Sequence, residues 1–319
     1  MKPARLFTLA LLALALPLAG QQLQIAPDAA PTPGNGTFTA TLGLEYAAVG
    51  DQHLLVDMYV PDEPGLHPAI LYLHTGAWVT GDRDPGASLR QARRGYVVAS
   101  IDYELAPKSI YPAQLEDCKA AVRWLRANAA RFRIDPERIA VFGASAGGHL
   151  AALLGTTGGI ADFEGEALGN AGYSSRVKAV VDFYGPTDLL KLDSQKAACA
   201  PPLDGNSPFL PPSLLIGCAI QLCKEKTELA NPINFITPDD PPFLILHGDT
   251  DCLVPWQQSQ LLYDALKAAG MPVSFHLIPG AGHADAKFDE LGNQQIVSDF
   301  FDAFLRGPEK ATRRRAAKR

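Results

Sequence analysis

The pentapeptide Gly143-Ala144-Ser145-Ala146-Gly147 constrains this chain more than any other feature. It follows the apolar run Ile139-Ala140-Val141-Phe142 and leads into the apolar residues 150–154. A serine at G-x-S-x-G spacing between a strand and a helix marks a very sharp turn. The two backbones approach so closely there that the flanking positions have no room for a Cβ, hence glycine. The turn drives the serine hydroxyl out above the end of the strand, where it is free to attack a substrate. The spacing alone arises often by chance. Its place between strand and helix gives it weight.

This arrangement resembles the nucleophile elbow of the α/β-hydrolases. A nucleophilic serine needs a base, and the base needs an orienting carboxylate. In that fold they follow in the order serine, acid, histidine, on loops after later strands. Residues 243–246 (Phe-Leu-Ile-Leu) read as a buried strand ending in His247-Gly248-Asp249-Thr250-Asp251. Residues 273–278 read as the next strand and end in Pro279-Gly280-Ala281-Gly282-His283. Both loops fall at C-terminal strand ends, where open α/β sheets bind ligands. The expected triad is Ser145, Asp251 and His283. Asp249 competes for the acid role; Asp251 is preferred because two further residues carry its side chain toward the His283 loop.

Acyl transfer also needs hydrogen-bond donors aimed at the developing oxyanion. Residues 69–73 form an apolar strand ending in His74-Thr75-Gly76-Ala77-Trp78, which resembles the HGGG loop of esterases. The backbone N–H groups of Gly76 and Ala77, with that of Ala146 after the nucleophile, are the expected donors. Thr75 and Ala77 stand where glycine is usual, yet any residue except proline keeps its N–H. Alanine tolerates a positive φ poorly, so the loop is expected to turn mainly at Gly76.

The likeness extends along residues 40–285. It is carried by His74 to Trp78, Asp102-Tyr103-Glu104-Leu105-Ala106-Pro107, Tyr111-Pro112-Ala113, Gly143 to Gly147, Asp182-Phe183-Tyr184-Gly185-Pro186-Thr187-Asp188, Asp239-Asp240-Pro241-Pro242 and the two loops above. The chain resembles the esterase/lipase branch that includes the bacterial feruloyl-esterase-like (BD-FAE) carboxylesterases. The resemblance implies hydrolysis of short-chain carboxylic esters, including acetyl or feruloyl groups on plant polysaccharides. A peptidase or amidase with the same triad is an alternative, as is a lipase or polyester hydrolase. A non-catalytic hydrolase fold characteristically lacks the serine or histidine, and both are present here.

The 319 residues fit one large α/β domain with insertions. Residues 1–20 combine a basic start, an apolar run and small residues, the pattern of a signal peptide. The run is shorter than the roughly 20 residues of a membrane span, and no cysteine follows it for a lipid anchor. Export to the periplasm or medium, without a stable membrane anchor, is expected. Residues 21–36 read as a flexible lead-in and residues 37–306 as the catalytic domain. Residues 307–319 read as a disordered basic tail. The net charge of −6 becomes −8 without Lys2 and Arg5. The six basic residues of the tail against Glu309 carry +5, which leaves −13 on the body. An acidic body argues against nucleic acid as a partner. Small-molecule or carbohydrate-linked esters are the expected substrates; the natural ester and the oligomeric state stay open.

Strands and helices alternate beyond the β-rich residues 37–60, which predicts a mostly parallel central sheet with helices on both faces. Helices are expected over residues 112–132, 257–269 and near 288–305. Residues 187–238 are proline-rich and aperiodic, and read as a small cap insertion over the site. Cys118 lies on the apolar stripe of its helix and is expected as a buried free thiol. Cys252 is expected to pair with Cys199, Cys218 or Cys223 of the cap, since export permits disulfides. His74 reads as structural, His149 as packed, and His247 as a hydrogen-bond partner of loop backbone. No histidine or cysteine pair has metal-ligand spacing, so no metal or other cofactor is implied. Trp78, Tyr184 and Trp256 each follow a strand end and are candidates for a substrate wall.

Overall fold

The computed structural model describes residues 36–200, 204 and 206–306. The expected signal peptide, the lead-in up to residue 35 and the basic tail lie outside the described residues. Among the described residues the strands are β1 (Phe38–Val49), β2 (Gln52–Pro61), β3 (His67–Leu73), β4 (Val97–Ile101), β5 (Ile134–Ala144), β6 (Val180–Phe183), β7 (Phe243–Gly248) and β8 (Val273–Ile278). They form one sheet in the order β1-β2-β4-β3-β5-β6-β7-β8. The pairs β1–β2 and β2–β4 are antiparallel, and every pair from β4–β3 onward is parallel.

Residues 69–73, 139–144 and 243–246 of the central strands are apolar and buried because both faces are covered. Side chains alternate across a strand. Leu71, Leu73, Val141, Val180, Phe243 and Ile245 therefore enter one core. Their neighbours Ile70, Tyr72, Ala140, Phe142, Val181 and Leu244 enter the other. Helices Ala113–Ala127, Ala146–Thr156 and Gln257–Ala268 pack on the first face, through residues such as Leu115, Leu150 and Leu262. Helix Leu291–Phe301 covers the second with Val297 and Phe301. This is the α/β-hydrolase architecture. Cys118 is a buried free thiol.

The single helix expected over residues 112–132 is interrupted. It divides into Ala113–Ala127 and Ala129–Phe132, with Asn128 between them. The Asn128 side-chain amide donates to Trp124 O at 3.0 Å, and this local competition with the backbone is why asparagine interrupts helices.

Parallel pairing through helical crossovers brings the C-terminal ends of β3, β5, β6, β7 and β8 to one edge. Among its described residues, the segment between β6 and β7 carries short helical turns, including Leu189–Lys191, Pro211–Ile216 and Lys224–Glu228. It is bound to the body at several points. Leu215 and Ile216 are fully buried in the core, Leu215 O accepts from Tyr111 N, and the Gln258 side chain accepts from Thr187 N and Asp188 N. Disulfides join Cys199 to Cys252 and Cys218 to Cys223. The first links this segment to the loop that carries Asp251.

Candidate active site

The elbow explains its own glycines. Ser145 adopts φ 55° and ψ −119°, a strained conformation for a residue with a side chain. A Cβ on Gly143 would lie 2.0 Å from Gly147 O, and one on Gly147 would lie 2.1 Å from Leu73 O. Strand, turn and helix meet without space for a methyl group. Ser145 N donates to Phe183 O at 2.8 Å, which fastens the strained residue to the end of β6.

The three loops bring Ser145, His283 and Asp251 into one hydrogen-bonded line. Ser145 Oγ lies 2.9 Å from His283 Nε2, and His283 Nδ1 lies 2.7 Å from Asp251 Oδ2. The carboxylate accepts, so Nδ1 carries the proton and the Nε2 lone pair faces the serine. The other carboxylate oxygen, Oδ1, accepts from Leu253 N at 2.8 Å and Val254 N at 2.9 Å. Burial alone would raise the Asp251 pKa. Hydrogen bonds from His247 and His283 and their partial positive charge outweigh it and hold the carboxyl well below the usual range. Asp249 is engaged elsewhere: its Oδ1 accepts from Gly280 N at 2.6 Å and ties the β7 loop to the β8 loop.

His247 stands behind this line. It is fully buried. Its Nε2 lies 2.9 Å from Val254 O, the loop-backbone contact expected for it, and 3.2 Å from Asp251 Oδ2. Its Nδ1 lies 2.7 Å from Ser259 Oγ. The contact with Asp251 has no signature in the spacing, because a loop must fold back to create it.

The loop after β3 departs from the simple turn expected at Gly76. Gly76, Ala77 and Trp78 all have positive φ, at 118°, 54° and 61°. The turn needs glycine at the first position, where a Cβ would lie 1.9 Å from Thr80 O. The two following residues are held left-handed by their surroundings. Gly76 O accepts from Val79 N and Thr80 N, and Trp78 O accepts from Ala106 N. The Trp78 ring is buried edge-on against His149 at 5.2 Å. The N–H groups of Gly76 and Ala77 make no hydrogen bond among the described residues. Ala146 opens helix Ala146–Thr156, so its N–H has no partner within the helix, and the helix dipole favours negative charge there.

The remaining histidines near the site are structural. His74 is stacked on Tyr103 at 4.1 Å, and its Nδ1 donates to Thr75 O. His149 Nε2 donates to Ala230 O at 2.7 Å. Burial lowers the pKa of each to about 4, so both are neutral near pH 7. Of the aromatic candidates, Trp78 and Tyr184 are 3% and 6% exposed. Tyr184 packs against the His283 ring at 4.8 Å and Phe288 at 4.6 Å. Trp256 is half-buried, one residue ahead of helix Gln257–Ala268. Asp182 lies beneath the elbow, with Oδ1 accepting from Gly185 N at 2.9 Å. Burial, opposed by that bond, pushes its carboxyl up to about 7.

Residues 56–266 match the BD-FAE family model. The chain belongs to the BD-FAE family. This BD-FAE chain is 36% identical over 228 residues to esterase LipC of Mycobacterium tuberculosis, an alignment covering 70% of the chain and 54% of LipC. It spans about half the length of the curated relatives it matches. A truncated carbohydrate esterase from gut microbiota superposes with a TM-score of 0.76 at 31% identity, covering 88% of this chain and 99% of that one. Esterase Est2 of Thermogutta terrifontis, in a butyrate-bound structure, gives 0.66 at 26% identity, with 86% and 96% covered.

Proposed function

We propose that this protein is an exported serine carboxylesterase acting on short-chain esters. The hydrogen-bonded line from Ser145 Oγ through His283 to Asp251, on a strained elbow, carries the reading. Ser145 Oγ attacks the ester carbonyl carbon while His283 Nε2 takes the hydroxyl proton. Asp251 holds the imidazolium that forms. The N–H groups of Gly76, Ala77 and Ala146 stabilise the oxyanion. Collapse of the tetrahedral intermediate expels the alcohol, which takes the proton from His283. Water, deprotonated in turn by His283, then releases the acid and regenerates Ser145.

Acetyl or feruloyl groups on plant polysaccharides are the substrates favoured here. Support comes from the likeness to a carbohydrate esterase and to a butyrate-bound esterase. The Cys199–Cys252 disulfide, together with the signal-peptide pattern of residues 1–20, supports an oxidising compartment. The test is a panel of p-nitrophenyl esters and acetylated or feruloylated oligosaccharides, assayed with the mature protein and with Ser145→Ala. Turnover lost in a folded Ser145→Ala variant is the expected result. A variant that keeps more than a small fraction of the rate overturns the assignment.

A further inference from the structure

We infer that His247 is a positioning residue for Asp251, a second imidazole that fixes the carboxylate from behind; the inference rests on the triad reading above. The neighbours of His247 fix its tautomer. Val254 O can only accept a hydrogen bond, and it lies 2.9 Å from His247 Nε2. Nε2 therefore carries the hydrogen. Nδ1 is left as the acceptor for the Ser259 hydroxyl at 2.7 Å. Ser259 belongs to helix Gln257–Ala268, so its position is set by an element separate from the β7 loop.

With that tautomer, the Nε2–H is donated to Val254 O and also faces Asp251 Oδ2, at 3.2 Å. Four N–H groups then face the Asp251 carboxylate, three of them in hydrogen bonds. Leu253 N and Val254 N hold Oδ1, while His283 Nδ1 and His247 Nε2 share Oδ2. A carboxylate with no side-chain exposure keeps its charge only when its lone pairs are occupied. Among the described residues, His247 supplies the N–H at Asp251 that belongs neither to its loop backbone nor to the reacting histidine. It prevents the carboxylate from rotating away from His283. It also draws charge from Oδ2, which limits how strongly Asp251 holds the His283 proton.

Removing this donor makes the carboxylate more basic and steadies protonated His283. The acid limb of kcat/KM then moves to higher pH. The ionisable groups facing Asp251 are His283 from the β8 loop, His247 from the end of β7, and Tyr184 from the β6 loop. The Tyr184 ring lies 4.8 Å from the His283 ring and 6.4 Å from the His247 ring. Burial raises the Tyr184 pKa far above the assay range, so Tyr184 stays neutral and does not contribute a limb.

Two variants separate positioning from packing. Glutamine places an amide N–H near the position of Nε2, whereas asparagine ends near Nδ1 and does not reach Asp251. His247→Asn is expected to lower kcat about tenfold, the kinetic equivalent of one charge-assisted hydrogen bond. KM should stay within about twofold, and the acid limb should rise by about half a pH unit. His247→Gln should recover most of both. An Asn variant with wild-type kcat and limb overturns the inference. So do Asn and Gln variants equally impaired with the limb unmoved, since that is the signature of lost packing alone. Nitrogen-15 histidine spectra of the wild-type protein give a reading that needs neither variant folding nor turnover. Nε2 protonated and Nδ1 bare at His247 is expected, and the opposite tautomer overturns the inference. Fluorophosphonate labelling at Ser145, lost in Ser145→Ala, tests the hydrolase reading separately.

Discussion

Replacing Asp251 with asparagine swaps one acceptor oxygen for a donor NH2 group while keeping the shape. Two orientations are open to the amide. If the NH2 replaces Oδ1, it confronts the N–H groups of Leu253 and Val254, and two backbone hydrogen bonds are lost. If it replaces Oδ2, the amide oxygen keeps both backbone bonds and the NH2 faces His283 Nδ1. The second orientation is cheaper, because His247 still has Val254 O as an acceptor. It forces His283 into the tautomer with the hydrogen on Nε2, which faces Ser145 Oγ. That nitrogen then has no lone pair with which to take the serine proton. A wrong tautomer in this position costs about four orders of magnitude in turnover, or about 5 kcal/mol of barrier. Asp249→Asn is the matched control, since an amide oxygen still accepts from Gly280 N. Losing the charge there weakens one hydrogen bond by about 1 kcal/mol, so its kcat should fall by less than about tenfold. Steady-state kcat on p-nitrophenyl butyrate, with circular dichroism to verify folding, distinguishes the two. An Asp251→Asn variant within tenfold of wild type, or one more active than Asp249→Asn, would show that Asp251 does not set the His283 tautomer.

Acyl chains of about two to six carbons should turn over faster than long ones, because the described residues between β6 and β7 form short turns rather than a long amphipathic lid; faster hydrolysis of long-chain triglyceride emulsions would point to a lipase. Reduction should loosen the Asp251 loop, with a loss of about 2–4 kcal/mol for the Cys199–Cys252 link. Mass spectrometry of a non-reduced digest should recover that pair, and a free Cys252 thiol in air-oxidised protein would contradict it. His74 and His149 should each favour unfolding on acidification from about pH 6.5 toward pH 4, since they stay neutral in the fold down to about 4 while the unfolded chain takes up protons near 6.5. Asp182, protonated in the fold up to about 7, acts in the opposite sense, so the test is differential: His149→Gln should lose less urea midpoint than wild type over this range, and an equal or greater loss would refute it. Gly148→Ala should damage folding or turnover, because the new methyl would lie 2.2 Å from Asp182 Oδ1 beneath the elbow; wild-type stability and rate in that variant would show that the elbow relaxes freely.

What the sequence determined by itself is the part governed by contacts close along the chain. The elbow was legible because a turn between β5 and its helix excludes side chains at Gly143 and Gly147, and that exclusion is written in two residues. The sheet was legible because strands buried on both faces must be apolar throughout, as residues 69–73 and 243–246 are. The order of Ser145, Asp251 and His283 along the chain followed from where strands end. Tertiary structure decided everything that depends on how separate segments meet. It turned Asp251 toward His283 while Gly280 N occupied Asp249. It chose Cys199 as the partner of Cys252 from three candidates in one segment. It held Ala77 and Trp78 left-handed, against the preference of any residue with a Cβ, through the contacts of Trp78 with Ala106 and His149. It also set His247 against Asp251 and Asp182 under the elbow. Steric exclusion within a turn acts over a few residues and leaves a local pattern; hydrogen bonds between distant loops depend on side-chain directions that only the packed sheet and its helices impose.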